Sequence, residues 1–158
     1  MKRIKINKKN IKLLIILLIP LLGSLLISYI IKDYFSIYQS ITKPYFAPPS
    51  IVFAIVWPIL YILMGVSSAI ISQYEENDAS FIFYVQLLLN YLWPILFFVL
   101  RLYAISFFEL IVLFLLIIIT IFKVFRINRI AGILLIPYIL WTIYAGYLNF
   151  MVWMYNEM

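Results

Sequence analysis

The residues best suited to chemistry lie in one apolar stretch, where Gln86, Asn90, Trp93 and Phe97 follow at intervals of four, three and four. On a helix that spacing stacks all four on one face. Carboxamides in so apolar a segment must meet protein or water rather than lipid. They serve either as hydrogen bonds between helices or as the polar floor of an aromatic-walled pocket. Tyr138, Trp141, Ala145 and Asn149 form a second stripe, and Trp57, Tyr61 and Gly65, followed by Ala69, a third. Gly65 and Ala69 are a small-xxx-small pair of the kind that lets helix backbones approach closely. Trp57, Trp93 and Trp141 fall well inside their stretches, so three indoles from three helices can meet at one site. Glu109 is the only acid inside an apolar span. A carboxylate near mid-helix costs about 2.5–3.5 kcal/mol on insertion scales. Glu109 therefore faces protein, is protonated, or meets a donor such as Arg101, a tyrosine or an indole. There is no histidine and no cysteine. That removes the commonest general base and metal ligand, any disulfide and any thiolate metal site.

The elements that must position these residues are set by composition. Of 158 residues, 67% are hydrophobic and 11% charged, against about 45–50% and about 25% in soluble domains. Runs long enough to cross a bilayer occur at 13–31, 51–72, 81–100, 103–122 and 130–155. Lipid-facing strands are excluded, because an open sheet edge would leave backbone groups unpaired. The expected fold is an all-α membrane protein, a single domain over 1–158 built as a bundle of five transmembrane helices. The first run is too long for a signal-peptide core and lacks a small-residue cleavage site, so it reads as a retained helix. The connection 32–50 contains Pro44, Pro48 and Pro49 and reads as a long loop, with Ser50 capping the helix that follows. Pro58, Pro94 and Pro137 each interrupt a span and are expected to bend it. Glu75, Glu76 and Asp78 mark the second connection, and Lys123, Arg126 and Arg129 the fourth.

Six of the twelve cations lie in the first twelve residues (Lys2, Arg3, Lys5, Lys8, Lys9 and Lys12). A basic stretch beside an apolar run is a topology signal near anionic headgroups, and no nucleic-acid partner is expected. With five spans, nine cations fall on the amino-terminal side and Lys32, Lys43 and Arg101 on the other. The positive-inside rule puts the amino terminus in the cytoplasm and the carboxyl terminus, with loop 32–50, outside. A bacterial cytoplasmic membrane fits this arrangement.

Three segments carry a resemblance. The first is Lys43-Pro44-Tyr45-Phe46-Ala47-Pro48-Pro49-Ser50 with Val52-Phe53 and Val56-Trp57-Pro58-Ile59-Leu60-Tyr61-Ile62-Leu63-Met64-Gly65. The second is Gln86-Leu87-Leu88-Leu89-Asn90-Tyr91-Leu92-Trp93 with Phe97-Phe98. The third is Pro137-Tyr138-Ile139-Leu140-Trp141 with Ala145 and Leu148-Asn149. In this order and spacing the chain resembles the TspO, or translocator protein, family of tryptophan-rich sensory proteins. The resemblance implies a five-helix bundle, often a homodimer, with a ligand pocket under the first long loop. It implies binding of porphyrins or haem as ligands, with no cofactor required, and in many members of isoquinoline-carboxamide or benzodiazepine drugs. Matched by position, the pocket residues it implies are Tyr38, Pro48, Trp57, Tyr61, Asn90, Trp93, Tyr138, Trp141 and Ala145.

There are also departures. Ile37, Tyr45 and Ile51 stand where relatives often carry tryptophan, which weakens any expectation of light-dependent porphyrin degradation. The proline of the third span stands at Pro94, one place before the family position at Ile95. Tyr155 lacks the following Lys or Arg of a sterol-recognition pattern, so sterol binding is not expected. The expected function is a tetrapyrrole-binding receptor or sensor; transport of porphyrin-like amphiphiles and light-dependent porphyrin degradation are the alternatives.

Overall fold

The computed structural model describes residues 8–34, 36–74 and 78–158. Lys2, Arg3 and Lys5 of the basic segment, and Glu75 and Glu76 of the second connection, lie outside the described residues. The chain runs through α1 (Lys8–Ile31), a 3-10 turn (Lys32–Tyr34), α2 (Ile37–Ser40), α3 (Ser50–Ile71) and α4 (Asp78–Pro94). A π-helical turn (Ile95–Val99), α5 (Tyr103–Ile127), α6 (Arg129–Leu134) and α7 (Ile136–Asn156) complete it. No strand occurs among the described residues. Five stretches are long and apolar enough to cross a membrane: Lys9–Tyr34, Ser50–Ile71, Asp78–Val99, Tyr103–Ile127 and Arg129–Asn156. The outward faces match that reading, since Leu88, Phe122 and Leu140 are each more than 60% exposed. Lipid solvates such side chains at no cost, whereas water would not.

Around the bundle, α1 packs along α3 and touches α4, while α5 packs on both α4 and α7. The short α6 bridges α3 and α5. Gly65 makes the α1–α3 contact possible, because a Cβ there would run into the carbonyl oxygen of Leu17. On the far side of α3, Ser67 donates to the carbonyl of Ala131 at 2.9 Å. Gly65 does what the small-residue pattern suggested, bringing backbones together, and Ser67 adds a second close contact of α3.

The prolines act differently from one another. Pro58 sits inside an unbroken α3. Pro94 ends the regular part of α4, and the next turn widens: the Leu100 N–H bonds the Ile95 carbonyl at 3.0 Å, five residues back. Pro137 does not bend a helix from within; the break falls at Leu135, and Pro137 occupies the first turn of α7. That position suits proline, whose missing N–H would have no partner there. Ser50 does not cap α3. Pro49 takes the extended boundary position, and Ser50 lies in the first turn without a side-chain cap bond. The pyrrolidine ring fixes the backbone one residue earlier than the serine could. A true cap appears at Asn128, whose side chain accepts from the Ala131 N–H at 3.0 Å to start α6.

Candidate functional site

The three interior indoles converge. Trp57 lies 6.5 Å from Trp93 and 6.4 Å from Trp141 between ring centroids, and Tyr61 stacks on Trp57 at 5.6 Å. Two of the indoles, Trp57 and Trp93, face a cavity of about 450 Å³ between α1, α3 and α4, lined by Leu21, Ser24, Ser28, Lys32, Phe53 and Tyr61 among others, while Trp141 packs behind them and does not line it. That volume lies within the range of about 300–1,000 Å³ usual for small-molecule sites.

The residues implied by the resemblance divide into those on the large cavity, those on a small one, and four, Pro48, Asn90, Tyr138 and Trp141, on neither. Trp57, Tyr61 and Trp93 line the large cavity. Tyr38 and Ala145 line a separate cavity of about 20 Å³ beneath the loop, with Lys43, Pro44 and Ala47. A water needs about 10–15 Å³ by the same measure, so this space suits water rather than a ligand. Phe53, Trp93 and Phe98 line both cavities and form the wall between them. Asn90 and Tyr138 line neither; they belong to a buried hydrogen-bond chain. The Tyr61 hydroxyl donates to Asn90 Oδ1, Asn90 Nδ2 donates to the Tyr138 hydroxyl at 3.1 Å, and Tyr138 donates to Gln86 Oε1 at 2.7 Å. The chain joins α3, α4 and α7 and begins at a residue of the cavity wall. It ends on Gln86 Nε2, which has no partner among the described residues. The carboxamides thus serve the interhelical role that the sequence left open. Trp141 packs edge-on against Phe53 and Trp57, and its Nε1 has no partner among the described residues.

The loop is tied down from several sides. Tyr38 donates to the Pro48 carbonyl at 2.9 Å, and Tyr144 to the Phe46 carbonyl at 2.8 Å. Burial, with the Tyr144 phenol adding to it, pushes the Tyr38 phenol up to about 12, so its donor proton is kept at neutral pH. Lys43 Nζ bonds the carbonyls of Tyr38, Gln39 and Ile41. Asn156, at the end of α7, clasps Thr42 through both backbone groups at 3.0 and 2.9 Å. Next to it, Glu157 accepts from the N–H groups of Tyr103 and Ala104 at 2.8 and 3.1 Å, capping α5. Asn156→Ala is expected to speed amide exchange at Thr42 about tenfold, the loss of roughly one net hydrogen bond. Hydrogen–deuterium exchange of the two proteins measures it; equal rates would mean that the clasp contributes nothing.

Several contributors were missed in the sequence. Phe53 and Phe98 stood inside the quoted motifs but were not counted as wall residues. Ser24 and Ser28 on α1, and Lys32 in the 3-10 turn that continues it, recur at intervals of four, a helical-face signal. Arg101 is not a donor to Glu109. It takes a left-handed backbone in the short α4–α5 link (φ 56°). Both Glu109 carboxyl oxygens are buried without a partner among the described residues.

Fold and site together define a five-helix integral membrane protein with an aromatic-walled cavity inside the bundle. Residues 14–154 match the model of the TspO/MBR family. The chain belongs to that family. It is 35% identical over 124 residues to Protein CrtK of Rhodobacter capsulatus, covering 75% of this chain and 78% of that one. It is 31% identical over 122 residues to the tryptophan-rich protein TspO of Archaeoglobus fulgidus, covering 75% and 79%. With the translocator protein of Ovis aries it shares 32% over 129 residues, covering 78% and 76%.

Proposed function

We propose that this protein is a membrane receptor or sensor that binds tetrapyrroles, porphyrin or haem, and related flat apolar aromatic ligands between α1, α3 and α4. The observation that carries the reading is the presence of Trp57, Tyr61 and Trp93 on one cavity of ligand size. Flat π-systems stack on indole and phenol faces with more than the usual return from burial. The names of relatives, tryptophan-rich sensory protein and translocator protein, support the sensor or translocator part of the reading and say nothing of the ligand. Titration with protoporphyrin should shift its main absorption band and quench tryptophan emission, both saturably. Trp57→Ala should weaken binding about tenfold, as expected when a central aromatic anchor is truncated. A linear response, unchanged by the substitution, would remove the reading.

Translocation of such amphiphiles is the second reading, and one observation favours it. One wall of the cavity is the single helix α1, whose Leu25 lines it and is 58% exposed. A wall of one helix leaves a route between cavity and lipid. Porphyrin flux into proteoliposomes no greater than into empty liposomes would end this reading and leave the receptor intact.

A further inference from the structure

Along α1 and the 3-10 turn that continues it, the polar atoms are not scattered. Ser24, Ser28 and Lys32 follow at i, i+4 and i+8, and all three line the large cavity. At ~1.5 Å per residue they mark ~12 Å of cavity wall, from the interior to the loop end of the bundle. Ser24 Oγ is satisfied within its own helix by the Leu21 carbonyl at 2.7 Å. Lys32 is different. Its ammonium sits 4.3 Å from the centroid of the Tyr29 ring, and it makes no ion pair among the described residues. Asp33, next in the chain, is exposed and does not line the cavity. Lys43, another cation of this end, is already held by three backbone carbonyls.

The cavity thus has aromatic walls at depth and, at its rim, a cation that rests on the exposed Tyr29 ring and has no ion pair among the described residues. An amphiphile with a flat apolar body and an acidic edge matches both features at once. We propose that Lys32 reads the carboxylate edge of an anionic ligand whose ring lies against Trp57 and Tyr61. This rests on the tetrapyrrole reading above and deepens it, naming carboxylate-bearing rings as the preferred class and fixing their orientation, acid edge toward the loop end. An exposed ion pair contributes modestly. The expected preference is therefore a few-fold in affinity, laid over the larger aromatic contribution.

The test compares protoporphyrin with its dimethyl ester, the same ring without charge, on the full chain in neutral maltoside micelles. The acid is expected to bind about two- to fivefold tighter than the ester. Lys32→Gln should close that gap, and Lys32→Arg should keep it. Lys12→Gln, which removes the same charge at the other end of α1, should leave the gap as it is. Equal affinity for the two forms, or equal effects of the two glutamine variants, would overturn the assignment while leaving the cavity as the site. Displacement of both forms alike by added phosphatidylglycerol would give Lys32 to a lipid headgroup and overturn it too. Saturable binding of neither form would instead bring down the functional reading beneath it.

Discussion

Gly65→Val is expected to destabilise the bundle by roughly 2–3 kcal/mol, near the upper end of the usual overpacking range. The glycine faces backbone, not a movable side chain: even a single Cβ would meet the Leu17 carbonyl oxygen and carbon. Backbone in the middle of a helix cannot rotate aside, so α1 must move away from α3 as a unit. That displacement has a functional consequence, because α1 carries one wall of the cavity. Gly65→Val should lower the unfolding midpoint in detergent and weaken porphyrin binding together. Gly146→Val is the control. Nothing lies within 4 Å of a Cβ at Gly146, so both quantities should stay near wild type. A Gly65→Val protein as stable as wild type would show that α1 does not sit where the structure places it.

Much of this is legible in the sequence. Five greasy stretches can only be helices in lipid, their carboxamides must face protein or water, and the interior tryptophans at helical spacing could meet at one site. What could not be read was the division of labour among those residues. Trp57 and Asn90 sit in similar patterns, yet one lines a cavity and the other bridges helices. That difference depends on how far α3 and α4 rotate about their axes, which pattern alone does not specify to the nearest side chain. The π turn after Pro94 is a second case. A wider turn changes which side chains point inward by about one position, and it brings Phe97 and Phe98 both into the core, at 3% and 5% exposure. The family position for that proline is one residue later, and a turn with one extra residue is a local device that can absorb such a shift. The contribution of α1 was hidden for another reason. A leading apolar run beside a basic stretch is fully explained by topology, so Ser24, Ser28 and Lys32 prompted no further question. Only the cavity shows that they share one wall.

Asn149 explains how the cavity wall is held from behind, and its removal should produce the other large effect. Its Oδ1 accepts from Trp93 Nε1 at 2.8 Å, and its Nδ2 donates to the Tyr103 carbonyl at 2.8 Å. The Ser106 hydroxyl lies 2.9 Å from both Asn149 Oδ1 and the Tyr103 carbonyl and gives its one proton to either. One carboxamide therefore ties α4, α5 and α7 together. Hydrogen bonds between membrane helices contribute about 0.6 kcal/mol each on average, but a buried donor left unpaired costs about 1–3 kcal/mol. Asn149→Leu keeps the volume and strands the Trp93 indole, so a loss of about 2–4 kcal/mol is expected in reversible unfolding. Trp93→Phe removes the stranded donor. The double variant should then be more stable than the two single losses added together, a coupling measurable by a double-mutant cycle. Strict additivity would mean that Asn149 acts through packing alone. The same indole faces the cavity on its other side, so Asn149→Leu should also blur the ligand site without touching the ligand. It should broaden the Trp93 emission and raise the porphyrin dissociation constant, while Trp57 and Tyr61 stay in place. Position 149, outside the large cavity, thus helps to set the orientation of the ring that lines it.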